Sequence, residues 1–360
     1  MSPTVAVYVF GGWHPCAERD VHFGQGWTEW ELLKAAAPHF DGHVPPPLPA
    51  SGTYDDSRPE IHRTRLEACR TFGIDVLVHG AFWSRGKKVF EASLDDGLLP
   101  ALDTHPGKTR FAVMWANRMP HRVLPMRVVD PLAPMGHRKV YTDSDDLAAL
   151  IDDWGARYFS RADYWKLGGV PYWSIYDTSL FVRQTGLREA ERAIARVKGR
   201  TGGLHVAAID PEPRLRPHLR DLGFDSVTHY VKLPDWKGPR IQNYAERATI
   251  VESEWPTMTA ETGLPYYPSV ATGWDATPRA TLYDKIRPDR FPWSPIIVGN
   301  SPEAFGRHAA KAAHWTTSTH GPDAPMFVAA MNEWTEGYWL EPDVRDGDAR
   351  LRALRDAVGR

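Results

Sequence analysis

Acidic side chains are concentrated near the end of the chain, in the segment MNEWTEGYWLEPD at 331–343. Glu333 and Glu336 are separated by two residues, and Glu341 follows shortly after them. The near-continuous apolar run APMFVAAM comes directly before this segment and predicts a buried strand, so the carboxyls lie where that strand ends. Two carboxyls held close together cannot both ionise cheaply, and one of them therefore tends to keep its proton.

A pair with one proton matches the chemistry of glycoside cleavage. That reaction needs one carboxylic acid to protonate the leaving oxygen and a second carboxylate to act as base or nucleophile. We therefore predict that Glu333 and Glu336 are catalytic, although the sequence does not say which of them holds the proton. The alternative is that both carboxyls form salt bridges at the rim of the fold.

The rest of the chain must position this pair, and its pattern indicates repeated βα units around a parallel sheet. Eight strands are predicted, at 5–10, 74–82, 110–117, 170–177, 204–210, 224–231, 264–275 and 324–334. Eight helices are predicted, at 58–72, 88–102, 144–163, 187–199, 212–221, 241–262, 301–318 and 346–358. The sequence thus predicts an α/β fold, a (β/α)8 TIM barrel forming a single catalytic domain over 1–360. Long βα loops follow strands one and three, at 11–57 and 118–143, and loops of this length are usually functional.

Active sites of such barrels lie at the C-terminal ends of the strands. The predicted strand ends are rich in aromatic and polar side chains, which suits sugars, because sugar rings stack on aromatic faces and sugar hydroxyls need polar partners. The candidate substrate-binding residues are Trp13, His14, His79, Trp83, Trp115, Asn117, Tyr176, His229, Tyr230, Trp274, Asp275, Asn332 and Trp334.

Two motifs near these positions keep structural alternatives open. In GWDATPR, Asp275 and Arg279 form either a structural pair in the loop after strand seven or a sugar contact. In GWTEW, packing of the long first loop by Trp27, Glu29 and Trp30 is slightly favoured over a place in the cleft.

The histidines at the strand ends raise the question of a metal. His14, His79, His229 and Asp210 are of ligand type, but a metal centre of the amidohydrolase kind needs His-x-His after strand one, and GGWHPC offers one His. We therefore predict no metal. No cofactor is expected either, since proton transfer needs none.

The composition limits the kinds of partner that this protein can have. The net charge is −2 and the basic residues are scattered, so the sequence lacks the basic patch of a nucleic-acid binder. We find no apolar stretch long enough to span a membrane, no secretory leader in MSPTVAVYVFGG, and two cysteines without metal-finger spacing. We expect a cytoplasmic protein whose partner is a carbohydrate substrate.

Several segments together resemble the WbsX-like, glycoside hydrolase family 99-like proteins, which are related to endo-α-mannosidases and mannanases. The matching segments span nearly the whole chain in the order of the family. They are FGQGWTEWELLKAAAPHFDGHVPPPLP at 23–49, YDDSRPEIHRTRLEACRTFGIDVLVHGAFWSRGKKVFEASLDDGLLPA at 54–101, FAVMWAN at 111–117, YPSVATGWDATPR at 267–279 and NEWTEGYWLEPD at 332–343.

The resemblance implies a (β/α)8 barrel and, through its hydrolase branch, cleavage of an α-linked sugar with retention by a neighbouring-group route. In that branch the Glu matched by Glu333 helps to deprotonate the 2-hydroxyl of the sugar, which attacks the anomeric carbon to give a 1,2-anhydro sugar. The Glu matched by Glu336 is the acid for the leaving group and then the base for water.

The chain also departs from the pattern of these families. Arg118 follows WAN, where the family usually has an acid, and Gly80 and Ala81 replace bulky rings, which predicts a wider pocket or a different sugar. Four cations make an acidic sugar or a phosphate-bearing donor an alternative substrate, since guanidinium groups match such anions; they are Arg85, Lys87, Arg118 and Arg122.

Two further functions stay open at this point. One is a glycosyltransferase or transglycosylase in the assembly of polysaccharides or glycosylated metabolites, which the genomic setting of the family suggests. The other is a barrel that binds carbohydrate without turning it over. The fold does not separate these possibilities, because one barrel supports many chemistries.

Overall fold

Eight parallel strands form the centre of the protein in a computed structural model that describes residues 2–105, 107–118, 142–283 and 285–360. The strands, numbered first to eighth along the chain, are Thr4–Val9, Val76–Ser84, Arg110–Trp115, Val170–Ile175, His205–Ile209, Ser226–Thr228, Ser269–Ala271 and Pro325–Ala329. Within the sheet, the eighth strand lies between the seventh and the first, and the order then runs from the first to the sixth. All eight predicted strands are confirmed.

The sheet curves until its two edges meet. Between the sixth strand and the seventh, the Val227 N–H donates to the Pro265 carbonyl and the Tyr267 N–H donates to the Val227 carbonyl, both at 2.9 Å. Val227 and Tyr266 thereby form a parallel bridge. These contacts nearly close the eight strands into a barrel, and with helices around it the predicted (β/α)8 fold is confirmed.

Helices surround the barrel and bury their apolar faces against it. The α-helices among the described residues are Ala17–Phe23, Trp30–Lys34, Pro59–Phe72, Leu99–Thr104, Ser144–Trp154, Thr178–Thr185, Leu187–Thr201, Tyr244–Thr262, Pro302–His320 and Ala349–Ala357. In Leu187–Thr201 the buried residues are Ala190, Ala193, Ile194 and Val197, a spacing that puts them on one face. Such packing against the strands holds each loop at the barrel mouth in a fixed place.

Three predicted helices differ from the structure. The segment 212–221 contains only the short 3₁₀ turn Arg216–His218, because the prolines in PEPRLRPHLR remove backbone donors that an α-helix needs. The segment 88–102 begins with the strand Lys87–Val89, which forms a hairpin with the second barrel strand. The segment 241–262 begins with the strand Ile241–Asn243, which pairs with Ile296–Val298 before the helix.

The first long loop carries structure of its own. It contains the helices Ala17–Phe23 and Trp30–Lys34, and its Trp30 ring lies on the Trp13 ring with their centroids 3.9 Å apart. Both indoles are buried, so this loop extends the core over the barrel mouth. The predicted second loop, 118–143, lies largely outside the described residues. Among the described residues, no helix combines the length and apolarity needed to cross a membrane.

Candidate active site

A tight hairpin after the eighth strand carries the two candidate carboxyls. The strand Asn332–Glu333 pairs antiparallel with Tyr338–Trp339, and the 3₁₀ turn Trp334–Glu336 lies between them. The Asn332 side chain fixes this hairpin to the first strand, because it accepts from the Phe10 N–H at 2.9 Å and donates to the Phe10 carbonyl at 2.8 Å. Glu333 and Glu336 are therefore held by a short, doubly anchored connection.

Both carboxyls line a cleft at the C-terminal end of the barrel. The cleft encloses about 610 Å³ of space, including its open mouth. Its walls combine apolar and aromatic side chains with a few charged groups, as is typical of pockets that bind small molecules. The lining residues are Val9, Phe10, Gly80, Phe82, Met114, Ala116, Arg118, Tyr176, Tyr230, Arg279, Glu333 and Glu336.

Glu333 is the more deeply buried member of the pair. Its side chain accepts a hydrogen bond from the Tyr230 hydroxyl at 2.8 Å, and the residue is 6% exposed. Burial, and then the neighbouring Glu336 carboxyl, raise the pKa of Glu333 to about 8. Glu333 therefore holds a proton at neutral pH.

Glu336 has partners that stabilise a negative charge. Its Oε1 accepts from the Arg279 guanidinium, and its Oε2 accepts from the Tyr338 hydroxyl at 2.8 Å. A hydrogen bond from a guanidinium favours the ionised carboxylate. Burial thus favours the neutral acid at Glu333, whereas Glu336 is the member of the pair that contacts a guanidinium.

Arg279 does not pair with Asp275, as one interpretation of GWDATPR expected. Asp275 instead accepts from His43 Nε2 at 2.8 Å and from the Thr277 N–H at 2.9 Å. Arg279 divides its guanidinium between Glu336 and Glu29. Glu29 of the GWTEW motif is fully buried, and it contacts the site through its hydrogen bond with Arg279.

Two of the predicted substrate-binding residues lie in the cleft wall. These are Tyr230, which contacts Glu333, and Tyr176, whose ring centroid is 5.1 Å from that of Tyr230. Trp274 lies one layer behind them, because its ring is buried and stacks on Tyr338 at 5.4 Å. His229 lies behind the wall as well, where its Nδ1 is 2.9 Å from the Tyr266 hydroxyl.

Five other predicted sugar contacts are fully buried and do not line the cleft. The Trp13 indole N–H donates to the Asn332 carbonyl, and the Trp115 indole N–H donates to the Trp83 carbonyl. The side chains of Asn117 and Asn332 each donate one hydrogen bond to a backbone carbonyl and accept one from a backbone N–H at a neighbouring strand end. The five residues are Trp13, Trp115, Asn117, Asn332 and Trp334.

The remaining predicted contacts are also buried and already have partners. His14 Nδ1 is 2.7 Å from an Asp56 carboxylate oxygen, and the Trp83 indole N–H donates to Asp146 at 2.9 Å. His79 Nε2 is 3.2 Å from the Ser93 hydroxyl, and burial lowers the pKa of its imidazole to about 4. These side chains, with Asp275, hold loops together at the barrel mouth.

The cations considered for an acidic sugar face carboxylates. Arg118 lines the cleft, and its Nε and Nη2 donate to one Asp177 oxygen at 2.9 and 2.8 Å. The other two described cations form exposed pairs, Arg85 with Asp143 at 3.5 Å and Lys87 with Glu18 at 3.6 Å; Arg122 lies outside the described residues. Among the described members of these four cations, Arg118 is the one that lines the cleft.

Sequence reasoning missed two polar residues that shape the pair. Arg279 was considered as a structural partner of Asp275 or as a sugar contact, but its contact with Glu336, 57 positions away in the chain, was not predicted. Tyr338 follows Glu336 by two residues within NEWTEGYW, and its hydroxyl donates to that carboxylate. The local motif contained a signal for Tyr338, whereas no local pattern marks Arg279.

Gly337 makes the hairpin possible. Its φ is +74°, and a Cβ added there would lie 2.5 Å from the Asp275 backbone nitrogen. We expect Gly337→Ala to lower the free energy of unfolding by more than the ~1–2 kcal/mol of the left-handed conformation alone, because the backbone of Asp275 must also move. Chemical denaturation measures this loss.

Gly347 offers a matched control for that substitution. Its φ is +58°, and an added Cβ would meet no atom within 4 Å. Gly347→Ala should therefore show only the conformational cost and leave the hairpin in place. Equal losses for the two variants would contradict the close approach at Gly337.

Comparison with known proteins places the whole chain in one family. The family model described as glycosyltransferase WbsX matches residues 4–354. The chain belongs to the WbsX family. Two curated relatives in this comparison, each named uncharacterized protein WxcX, come from two strains of Xanthomonas campestris pv. campestris and are 29% identical over 374 residues. The match covers 99% of this WbsX-family chain and 50% of each relative, so the chain spans about half the length of the relatives it matches.

Solved structures similar to this WbsX-family barrel include a glycoside hydrolase. The GH99 endo-α-mannosidase from Bacteroides thetaiotaomicron, in complex with bis-tris-propane, has a TM-score of 0.63 at 16% identity, covering 99% of this chain and 96% of that one. A glycoside hydrolase-like protein has a TM-score of 0.63 at 14% identity, covering 99% and 93%. At these identities the likeness shows the shared fold.

Proposed function

We propose that the cleft of this WbsX-family barrel processes glycosidic bonds, with Glu333 and Glu336 as the pair that exchanges protons with the sugar. Hydrolysis of an α-linked sugar with retention is the activity we favour. One observation carries the proposal: two carboxyls on one hairpin share a cleft, one buried and protonated, the other paired with a guanidinium. This division matches the acid and the carboxylate that glycoside cleavage requires.

The comparisons support a sugar as the substrate. The similar solved structures include an endo-α-mannosidase of family GH99, and the name of the WbsX family refers to glycosyl transfer. Both chemistries act at an anomeric carbon and need protons moved to and from oxygen. We also propose that residues 1–360 act as a single catalytic domain.

We assign each carboxyl a role in the proposed reaction. Glu333 donates its proton to the leaving glycosidic oxygen as the bond to the anomeric carbon breaks. Glu336 accepts the proton of the 2-hydroxyl of the sugar, whose oxygen attacks that carbon to form a 1,2-anhydro sugar. Water then opens this ring, giving its proton to Glu333, while Glu336 returns its own proton to the 2-oxygen. Two successive displacements at one carbon give overall retention.

These roles are the reverse of those implied by the resemblance to the hydrolase branch. The physical reason is Arg279, which contacts Glu336 and stabilises its anionic form, while burial keeps Glu333 neutral. A carboxyl that is already protonated near neutral pH is ready to donate without a prior proton transfer.

Glycosyl transfer is the second candidate, and the family description is the observation that favours it. A transferase of this kind would use the same carboxyl pair but deliver the sugar to an acceptor hydroxyl in place of water. A barrel that only binds carbohydrate remains the alternative without catalysis. The match covers 50% of the longer relative, and we propose that the other half of that protein carries a second activity.

The test is a turnover assay on the purified chain. It is incubated with fluorogenic α-glycosides, including α-mannosides, and with manno-oligosaccharides, and proton NMR records the anomeric form released first. Release of an α-anomer supports the proposal. Turnover only after a nucleotide sugar or a lipid-linked sugar is added supports transfer, and calorimetric binding without turnover under either condition supports the binding barrel.

The pH dependence of kcat/KM is a further prediction. The pair holds one proton below pH about 8 and loses it above, because burial and Glu336 raise the pKa of Glu333 to about 8. Whichever carboxyl donates, the working form is the singly protonated pair, so kcat/KM should fall as the pH rises through about 8. Stopped assays across pH 5 to about 10 measure this. A rate that is constant or rising above the predicted value contradicts the assignment.

A further inference from the structure

A chain of alternating charges runs from the first long loop to the catalytic pair. Arg19 donates to Oε1 of Glu29, and Arg279 Nη2 donates to Oε2 of Glu29 at 3.1 Å. Arg279 Nη1 then donates to Oε1 of Glu336. Loop and hairpin are thereby linked by three consecutive ionic hydrogen bonds.

The link is buried along most of its length. Arg19 and Glu29 are 0% exposed, and Arg279 is 8% exposed. A buried charge is costly unless it is paired and hydrogen-bonded. The Thr335 hydroxyl adds a further hydrogen bond to Glu29 and accepts one from Arg279 Nε. The four charges therefore form one interdependent unit.

The balance of positive and negative charges determines which carboxyls of this unit are ionised. Two guanidinium groups, of Arg19 and Arg279, are matched by two carboxylates, of Glu29 and Glu336. A third carboxylate at Glu333 would have no matching cation within the unit. Glu29 does not line the cleft, and its direct contact among the cleft residues is with Arg279.

We propose that Glu29 is a positioning residue which, through Arg279, keeps the negative charge of the catalytic pair on Glu336 and the proton on Glu333. The inference rests on the proposed function for its catalytic meaning. The link between Glu29 and the protonation of Glu333 does not depend on the proposed function, because it is argued from the hydrogen bonds of Arg279 to Glu29 and Glu336.

Other groups also face the pair from the surrounding elements. The hydroxyls of Tyr230 and Tyr338 contact Glu333 and Glu336 directly. Further out lie Tyr176, Arg118 with its partner Asp177, and Asp210. None of these groups contacts Glu29, whose own partners are Arg19, Arg279 and Thr335.

The electrostatics of the buried carboxyls agree with the proposal. Burial alone would raise the pKa of Glu29, but Arg279, Arg19 and the Thr335 hydroxyl lower it below the ordinary value, so Glu29 is charged. Burial and Glu336 raise the pKa of Glu333, and the negative charge of Glu29 adds to them. Removing that charge should therefore lower the pKa of Glu333.

The test is Glu29→Gln, which keeps the shape and removes the charge. We expect the pH at which kcat/KM falls to move to a lower value, because the negative charge of Glu29, which helps to raise the pKa of Glu333, is removed. A second readout needs no turnover: ¹³C NMR of protein labelled at glutamate carboxyls follows the titration of Glu333 itself. A merely structural role for Glu29 would lower stability or rate and leave both titrations in place.

Two variants complete the design. Glu341→Gln is the matched control, because Glu341 is a largely buried carboxylate that pairs with Arg65 and accepts from the Tyr54 hydroxyl. It should leave the titration of Glu333 unchanged. Glu29→Asp keeps the charge on a shorter side chain that cannot hold Arg279 and Thr335 together, so we expect a smaller shift in the same direction. It serves as the test if the amide variant does not fold.

The outcomes separate this inference from the proposed function. A folded Glu29 variant in which Glu333 titrates as in the parent overturns the positioning role, even if sugars are turned over. If no sugar is turned over, the proposed function fails, and the NMR titration still decides whether Glu29 controls Glu333. A shift in Glu341→Gln as large as in Glu29→Gln also overturns the role, because it shows a general effect of buried charge.

Discussion

Glu333→Gln is expected to lower kcat/KM for an unactivated glycoside by about 10²–10⁴-fold, the usual contribution of a general acid. The amide cannot donate a proton to the leaving oxygen, but it can still accept the hydrogen bond from Tyr230. An aryl glycoside with a very acidic phenol needs little protonation, so its rate should fall much less. The measurement is kcat/KM for a series of aryl leaving groups.

Glu336→Gln is the companion variant for that series. Its amide cannot accept a proton from the attacking hydroxyl, so we expect a loss of similar size that is the same for good and poor leaving groups. The opposite result, with leaving-group dependence in Glu336→Gln, would restore the roles implied by the hydrolase branch. Circular dichroism and the unfolding midpoint of each variant establish that the fold is retained.

The second large effect concerns stability and lies away from the cleft. Asp343 is 2% exposed and accepts from Arg350 and from the Trp339 indole N–H, both at 2.9 Å. It also accepts from the backbone N–H groups of Arg345 and Asp346 at 2.8 Å. Asp343→Ala removes all of these hydrogen bonds and leaves the buried Arg350 charge with the partly exposed Asp346 carboxylate as its partner. We expect the free energy of unfolding to fall by about 3–5 kcal/mol.

An exposed pair at the start of the helix Ala349–Ala357, which also carries Arg350, supplies the control for this prediction. Asp348 and Arg352 form an exposed salt bridge four residues apart. Because solvent screens such a pair, Asp348→Ala should change the free energy of unfolding by about 1 kcal/mol or less. Guanidinium denaturation of both variants gives the comparison. Similar losses would show that Asp343 has no special structural importance.

The fold could be predicted because its signals are local. Each barrel strand is a short apolar run, and a run such as VAVYVF identifies itself without reference to the rest of the chain. The seventh strand was predicted over 264–275 but spans only Ser269–Ala271. Pro265 and Pro268 lack the N–H groups that a longer ladder would need, which explains the shorter strand.

The candidate site could be predicted only in part, for a related reason. Glu333 and Glu336 are neighbours in sequence, so their closeness was visible, whereas the ionic link from Arg279 to Glu29 spans 250 positions. Of the thirteen predicted sugar contacts, two line the cleft, because strand-end position does not show what covers a side chain. The first loop packs Trp30 on Trp13, and residues expected at an open rim became part of the core.

The hairpin at Asn332–Glu333 and Tyr338–Trp339 has one more consequence. Because it is short, backbone-paired and tied to the first strand, the spacing of its two acids is determined when the chain folds. In the proposed reaction, no movement on ligand arrival would be needed to bring the two acids together, and such preorganisation favours catalysis. Divergence in substrate among relatives would then come from the surrounding walls, while this turn stays geometrically constant.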